Sequence, residues 1–127
     1  MILTEKTFSD YIYKQLEKLG YKITLSENTT ESEFPCIEMH TPLKNVNKVV
    51  DGVPVSMTFQ ISLTCWHEYK RDCMEMASKI DNLLLTLNII RTNSNDIIYD
   101  QVLMKNGMTV TYEVRYNGLT NALELIR

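Results

Sequence analysis

Two pairs of residues in this chain carry side chains suited to nucleophilic or metal chemistry. Cys65 and His67 stand two apart, and Cys36 and His40 lie in the segment before them. An imidazole beside a thiol stabilises the thiolate, so such a pair can act as nucleophile and base or join a metal site. A spacing of two puts Cys65 and His67 on one face of a strand, while the strand pairing derived below sends Cys36 and His40 to the opposite face. The competing reading is structural: a buried Cys65, with His67 closing the strand. Other chemistry has fewer carriers. The four glycines, at 20, 52, 107 and 118, are isolated, so they cannot form a phosphate-cradling loop, and HExxH, CxxC and GxSxG are absent. The acidic residues Glu27, Glu31, Glu33, Asp51, Asp96 and Asp100 are scattered along the chain and read as solvated surface. From these positions we expect no catalytic residue, no cofactor and no metal, and a protein that is not an enzyme.

The elements that must hold these residues can be read from periodicity. Phe8, Tyr11, Ile12, Leu16 and Leu19 recur at helical spacing and predict a first helix over residues 4–19, stopped by Gly20. A short strand over 21–25 and a polar, acidic loop over 26–33 follow. Val55, Met57, Phe59, Ile61, Leu63 and Cys65 then alternate with Ser56, Thr58, Gln60, Ser62 and Thr64, which predicts a strand with one apolar and one polar face. Extended from Val53 to Trp66, it would reach on the order of 45 Å.

Its partner is predicted to be the segment 36–50, joined through Asp51-Gly52. A three-residue loop over 51–53 keeps the apolar residues on one face, setting Ile37 against His67, Met39 against Cys65 and Val49 against Val55. In that register Asn45 and Asn47 oppose Phe59 and Met57. The outer half of the hairpin then reads as a projecting arm whose Met57 and Phe59 await another subunit; the alternative is that the first helix or the loop covers them within one chain. A second helix is predicted over 68–87, a short extended segment over 88–93, and a second hairpin from 97–104 and 108–116, turning at Asn106-Gly107. Residues 118–127 read as a short strand or a helical turn. The expected fold is α+β, with two amphipathic helices on one face of a mainly antiparallel sheet built from two hairpins, forming one domain over residues 1–127.

Composition narrows the function. With 127 residues, 44% hydrophobic and 23% charged, the chain is long enough to bury a core without disulfides or metal. A net charge of −3 and dispersed Lys and Arg argue against nucleic acid or anionic membrane as the main partner. No secretion signal is visible at the start, the apolar runs are too short to cross a bilayer, and three irregularly spaced cysteines fit a reducing compartment. Seven methionines fit core filling or adaptable contacts, and Trp66, on the polar face, suits an interface or a sheet-edge cap.

Taken together, FPCIEMHTP (34–42), ISLTCWHEY (61–69), MASKIDNLLLTLNIIRT (76–92) and YEVRYN (112–117) resemble the tail terminator, or tail completion, proteins of bacteriophages and phage-like particles, over residues 4–117. Head-to-tail connector proteins share this pattern and are the first alternative; a small ligand-binding or regulatory α+β domain is the second. The resemblance implies a virion structural protein of the tail, assembled in the host cytoplasm. It would form a ring, usually a hexamer, that caps the tail tube, meets the tube and connector proteins, and leaves a channel through which DNA can pass. No catalytic residues come with the family. The residue pattern itself suggests Met57, Phe59 and Trp66 as subunit contacts, with Lys44, Asn47 and Lys48 along the arm.

Overall fold

The first helix begins at a reciprocal cap. Thr4 Oγ1 accepts the Thr7 backbone N–H at 3.1 Å and Thr7 Oγ1 accepts that of Thr4 at 2.9 Å, satisfying two donors that a helix start leaves unpaired. In the computed structural model, which describes residues 3–126 apart from the side chains of 29–31, α1 spans Glu5–Leu16. It continues as a 3-10 turn, Glu17–Leu19, and stops at Gly20, whose φ of 83° is left-handed as expected. Phe8, Ile12 and Leu16, four residues apart, are its buried stripe.

The remaining elements are β1 (Lys22–Leu25), a 3-10 turn (Ser26–Glu31) in place of the expected loop, β2 (Cys36–Met39), β3 (Leu43–Val50), β4 (Val53–His67), α2 (Lys70–Leu85), β5 (Ile90–Ser94), β6 (Ile98–Asp100), β7 (Lys105–Asn117) and β8 (Ala122–Glu124). The fold is α+β, with two helices and a mixed, mainly antiparallel sheet of eight strands in the described residues. The strand order is β1-β2-β4-β7-β5, with β3 on β4 and β6 and β8 on β7. The parallel pair is β1 with β2, in register from Lys22 opposite Cys36 to Leu25 opposite Met39. The 3-10 turn between them allows this, because a parallel return needs more chain than a hairpin.

The long alternating strand exists, but its pairings differ from the expected ones. Segment 36–50 is two strands broken near Pro42: β2 pairs with the far end of β4, setting Ile37 against Cys65 and Met39 against Leu63, and β3 pairs with the near end. Asp51 (φ 51°) and Gly52 (φ 76°) form a two-residue turn with Val50 opposite Val53, in place of the three-residue loop. Two register shifts, between Val46 and Lys48 and between Lys48 and Val49, absorb the parity conflict that the longer loop was meant to resolve. Lys44 and Val46, and not Asn45 and Asn47, therefore oppose Phe59 and Met57.

On its other side β4 pairs with β7 without interruption, from Ser56 opposite Asn117 to His67 opposite Asn106. The hairpin is thus flanked along most of β4 and does not stand free as a long arm. Met57 and Phe59 are fully buried. The Phe8 ring stacks on Phe59 with centroids 4.8 Å apart, so α1 of the same chain provides the cover that a neighbouring subunit was expected to supply.

The second turn also moves. Asp100 Oδ1 accepts the backbone N–H groups of Val102 and Leu103, both at 2.9 Å, and Met104 takes φ 56°, so the chain reverses over 101–104. Asp100 pairs with Lys105 and Ile98 with Gly107, displacing the expected pairs Leu103–Val110 and Tyr99–Val114. Asn106-Gly107 lies inside β7. Gly107 is there because the Trp66 ring crosses it: a Cβ would come within 2.6 Å of Trp66 Cζ3. Buried Asn106 donates to the Glu68 carbonyl at 2.8 Å and accepts the Cys73 thiol at 3.3 Å, tying the start of α2 to the sheet.

Because Phe59 fills the core beneath α1, Phe59→Ala is expected to cost about 3–5 kcal/mol, read from the midpoint of urea unfolding. A loss under about 0.5 kcal/mol, typical of surface positions, would contradict its placement.

Candidate functional site

The two faces of β4 hold different chemistry. Cys65 is fully buried, with Ile37 and Met108 as cross-strand neighbours. Burial, with a smaller contribution from Cys73, pushes its thiol up from 9.0 to about 12, so it is protonated and not nucleophilic at neutral pH. His67 Nδ1 accepts the Glu68 backbone N–H at 2.9 Å, which leaves the proton of the neutral ring on Nε2; Asp72 Oδ2 lies 3.5 Å from the same nitrogen. Cys36 and Cys73 are buried too, and burial raises both thiols. The structure therefore favours the structural reading of Cys65 and His67. Among the described residues no group of three or more His, Cys, Asp and Glu side chains is arranged to hold a metal ion, and no helix is long and apolar enough to cross a membrane.

The opposite face carries a network of polar groups. Glu38, 7% exposed, accepts the Trp66 indole N–H on Oε1 at 2.6 Å, and its Oε2 lies 3.7 Å from His40 Nε2. His40 Nε2 is 2.8 Å from Thr64 Oγ1, which is 2.8 Å from Thr109 Oγ1; Ser62 and Thr111 hydroxyls meet at 3.0 Å. This chain crosses β2, β4 and β7, and each contact requires the strands to be in their observed register. A buried carboxylate held by an indole donor is a strong lock, since either partner alone would be left unsatisfied. A second polar lock joins α2 to the sheet: Asp81 accepts the hydroxyl of fully buried Tyr112 and pairs with Arg91 at 2.7 Å. Burial, then the Asp81 hydrogen bond, raises the Tyr112 hydroxyl's pKa.

The residues proposed as subunit contacts separate on this framework. Met57 and Phe59 are core and are withdrawn as contacts. Trp66 is half-buried, fixed between Glu38 and Gly107. Lys44 points toward α1, its Nζ 3.6 Å from Glu5 Oε1. Asn47, at the bulge, donates to Thr58 Oγ1 at 2.7 Å, and Lys48 is exposed. The apolar groups that do reach the surface on this edge were not anticipated: Leu43, Val46, Val49, Val50 and Val53 are each between 45% and 58% exposed. Their signal is in the sequence as apolar residues on both sides of Asp51-Gly52, but only the sheet topology shows that β3 has no strand on its outer side to cover them. Glu38 and His40 were also missed as a pair; only the tertiary register puts their side chains together with Trp66.

A cleft of about 500 Å³ opens between α1, the end of α2 and β8, lined by Leu3, Tyr11, Leu87, Asn88, Tyr116 and Leu123 among others. None of the protein-family models compared with the chain matches it, and a comparison with curated proteins finds no match.

Removing the indole donor takes away the hydrogen bond that Oε1 of buried Glu38 accepts, while His40 stays near Oε2. Trp66→Phe is expected to lower stability by about 1–3 kcal/mol, with part recovered by adding Glu38→Gln; equal losses in the single and double variants would show that the hydrogen bond contributes nothing.

The Cys65 thiol gives a prediction with a defined sign. Its pKa is higher folded than unfolded, so its stabilising contribution is complete below pH 9.0 and is lost as pH rises toward about 12. Alkaline unfolding should steepen by up to about 1.4 kcal/mol per pH unit through this group, and Cys65→Ala should flatten the profile. An unchanged profile in Cys65→Ala would overturn the assignment.

Proposed function

We propose that this protein is a structural subunit of a virion tail that assembles with copies of itself into a ring, in the manner of the tail terminators its sequence resembles. The ring would cap the tail tube and present the surface to which the connector and head dock, with DNA passing through its centre. The observation that carries this reading is the β3 edge: an edge strand whose Leu43, Val46, Val49 and Val50, with Val53 across the turn, are about half exposed. Exposed apolar edges promote aggregation unless something covers them, and a neighbouring subunit is the simplest cover. In this reading the two helices share one face of the sheet, so that contacts between copies form along its edges. A net charge of −3 is consistent with a channel that does not retain DNA.

The cleft beside Leu3, Tyr11 and Leu123 favours a second reading, a small ligand-binding module, since apolar concavities with a few polar groups are the usual form of such sites.

Light scattering across a wide concentration range, with electron microscopy of the same sample, separates the two. A discrete hexamer of the 14.8 kDa chain with a central opening is the expected outcome. A stable dimer without an opening would favour the ligand-binding module and overturn the ring.

A further inference from the structure

Two of the sheet's free edges are opposite in charge. β3 pairs only with β4, and its sequence, LKNVNKVV, contains two lysines and no acid. On the far side of the sheet β6 pairs only with β7, and the stretch around it, NDIIYD over 95–100, contains two aspartates and no base. Both edges also expose apolar side chains: Val46 and Val49 on one, Ile98 (66%) and Tyr99 (50%) on the other. Each offers unpaired backbone groups along its outer side, the usual requirement for strand addition.

The charge match comes down to one pair. Lys48 lies opposite Ser56, on the polar face of the sheet, and Lys44 opposite Phe59, on the core face, because the bulge at Asn47 reverses the alternation. An antiparallel approach of the two edges can set Lys48 beside Asp96, while Lys44 is held toward Glu5 and Asp100 Oδ1 by the turn that follows it. Lys48 and Asp96 are both exposed. We propose that the β3 edge of one copy docks on the β6 edge of the next, continuing the sheet from subunit to subunit, with the Lys48–Asp96 pair setting the register. The two edges are different surfaces, so the contact is head-to-tail and can repeat around a ring. The proposal rests on the self-assembly reading above and names the surfaces that meet. Charge complementarity selects a second copy as the occupant, since this chain carries both halves of the match.

Charge reversal tests it. Lys48→Glu and Asp96→Lys should each weaken self-association roughly five- to ten-fold at low salt, and the double variant should recover most of the loss. Association of the unaltered protein should weaken as salt rises. Circular dichroism should find all three variants folded, because both side chains are exposed. If the protein forms rings that neither reversal weakens, or that the double variant does not restore, the edge contact is overturned while the ring reading stands. If the swap behaves as expected but the assembly is an open chain without a central opening, the ring reading fails and the edge contact stands. A protein that remains monomeric at every concentration overturns both.

Discussion

The antiparallel pairing of β4 with β7 is the constraint on which the rest of this structure depends. It runs almost the full length of both strands and joins segments some fifty residues apart at its middle, where Ile61 meets Tyr112. Such non-local pairing carries a loop-closure cost before any contact forms, so its stability must come from what the two strands place side by side. On one face they assemble the wall of a core: Met57, Phe59, Ile61 and Leu63 beside Val110, Tyr112, Val114 and Tyr116, in one cluster with buried residues of both helices. On the other they align hydroxyls and the Trp66 ring, which fits only because Gly107 has no side chain.

A one-residue slip of this ladder would invert both faces at once, sending threonines into the core and exposing Phe59. The polar network therefore has a specific use. Buried Glu38, held by Trp66 and close to His40, is satisfied only in the observed register of β2 on β4, and the Thr64–Thr109 contact extends that condition to β7. The apolar face supplies most of the stabilisation, and the polar face discriminates between alignments that the apolar face alone would nearly tolerate.

What remains outside this framework is concentrated at the sheet's edges. The β3 strand and the turn beyond it expose valines that the core does not need, and the β6 edge exposes Ile98 and Tyr99. Exposed apolar residues on an edge strand carry a risk of uncontrolled association, and the proposed self-assembly rests on them and not on residues of the two sheet faces. The charged groups beside them offer a way to limit that association to one partner and one register.

By itself the sequence determined the local elements. The helical spacing of Phe8 to Leu19 and the stop at Gly20 bounded the first helix, the apolar stripe located the second, and strict alternation from Val55 to Cys65 identified the long strand and its two faces. Those signals act over a few residues, so they survive without knowledge of the fold. The parallel β1–β2 pair, the β4–β7 ladder, the bulges near Asn47 and the turn at 101–104 were settled by tertiary structure. Asn106-Gly107 illustrates the reason: its intrinsic turn preference is real, but Asn106 gains hydrogen bonds to the start of α2, Gly107 accommodates Trp66, and Asp100 stabilises a different reversal. Met57 and Phe59 show the same for the candidate site. Alternation placed them on the apolar face, whereas whether α1 or another subunit covers that face depends on packing between elements far apart in the chain.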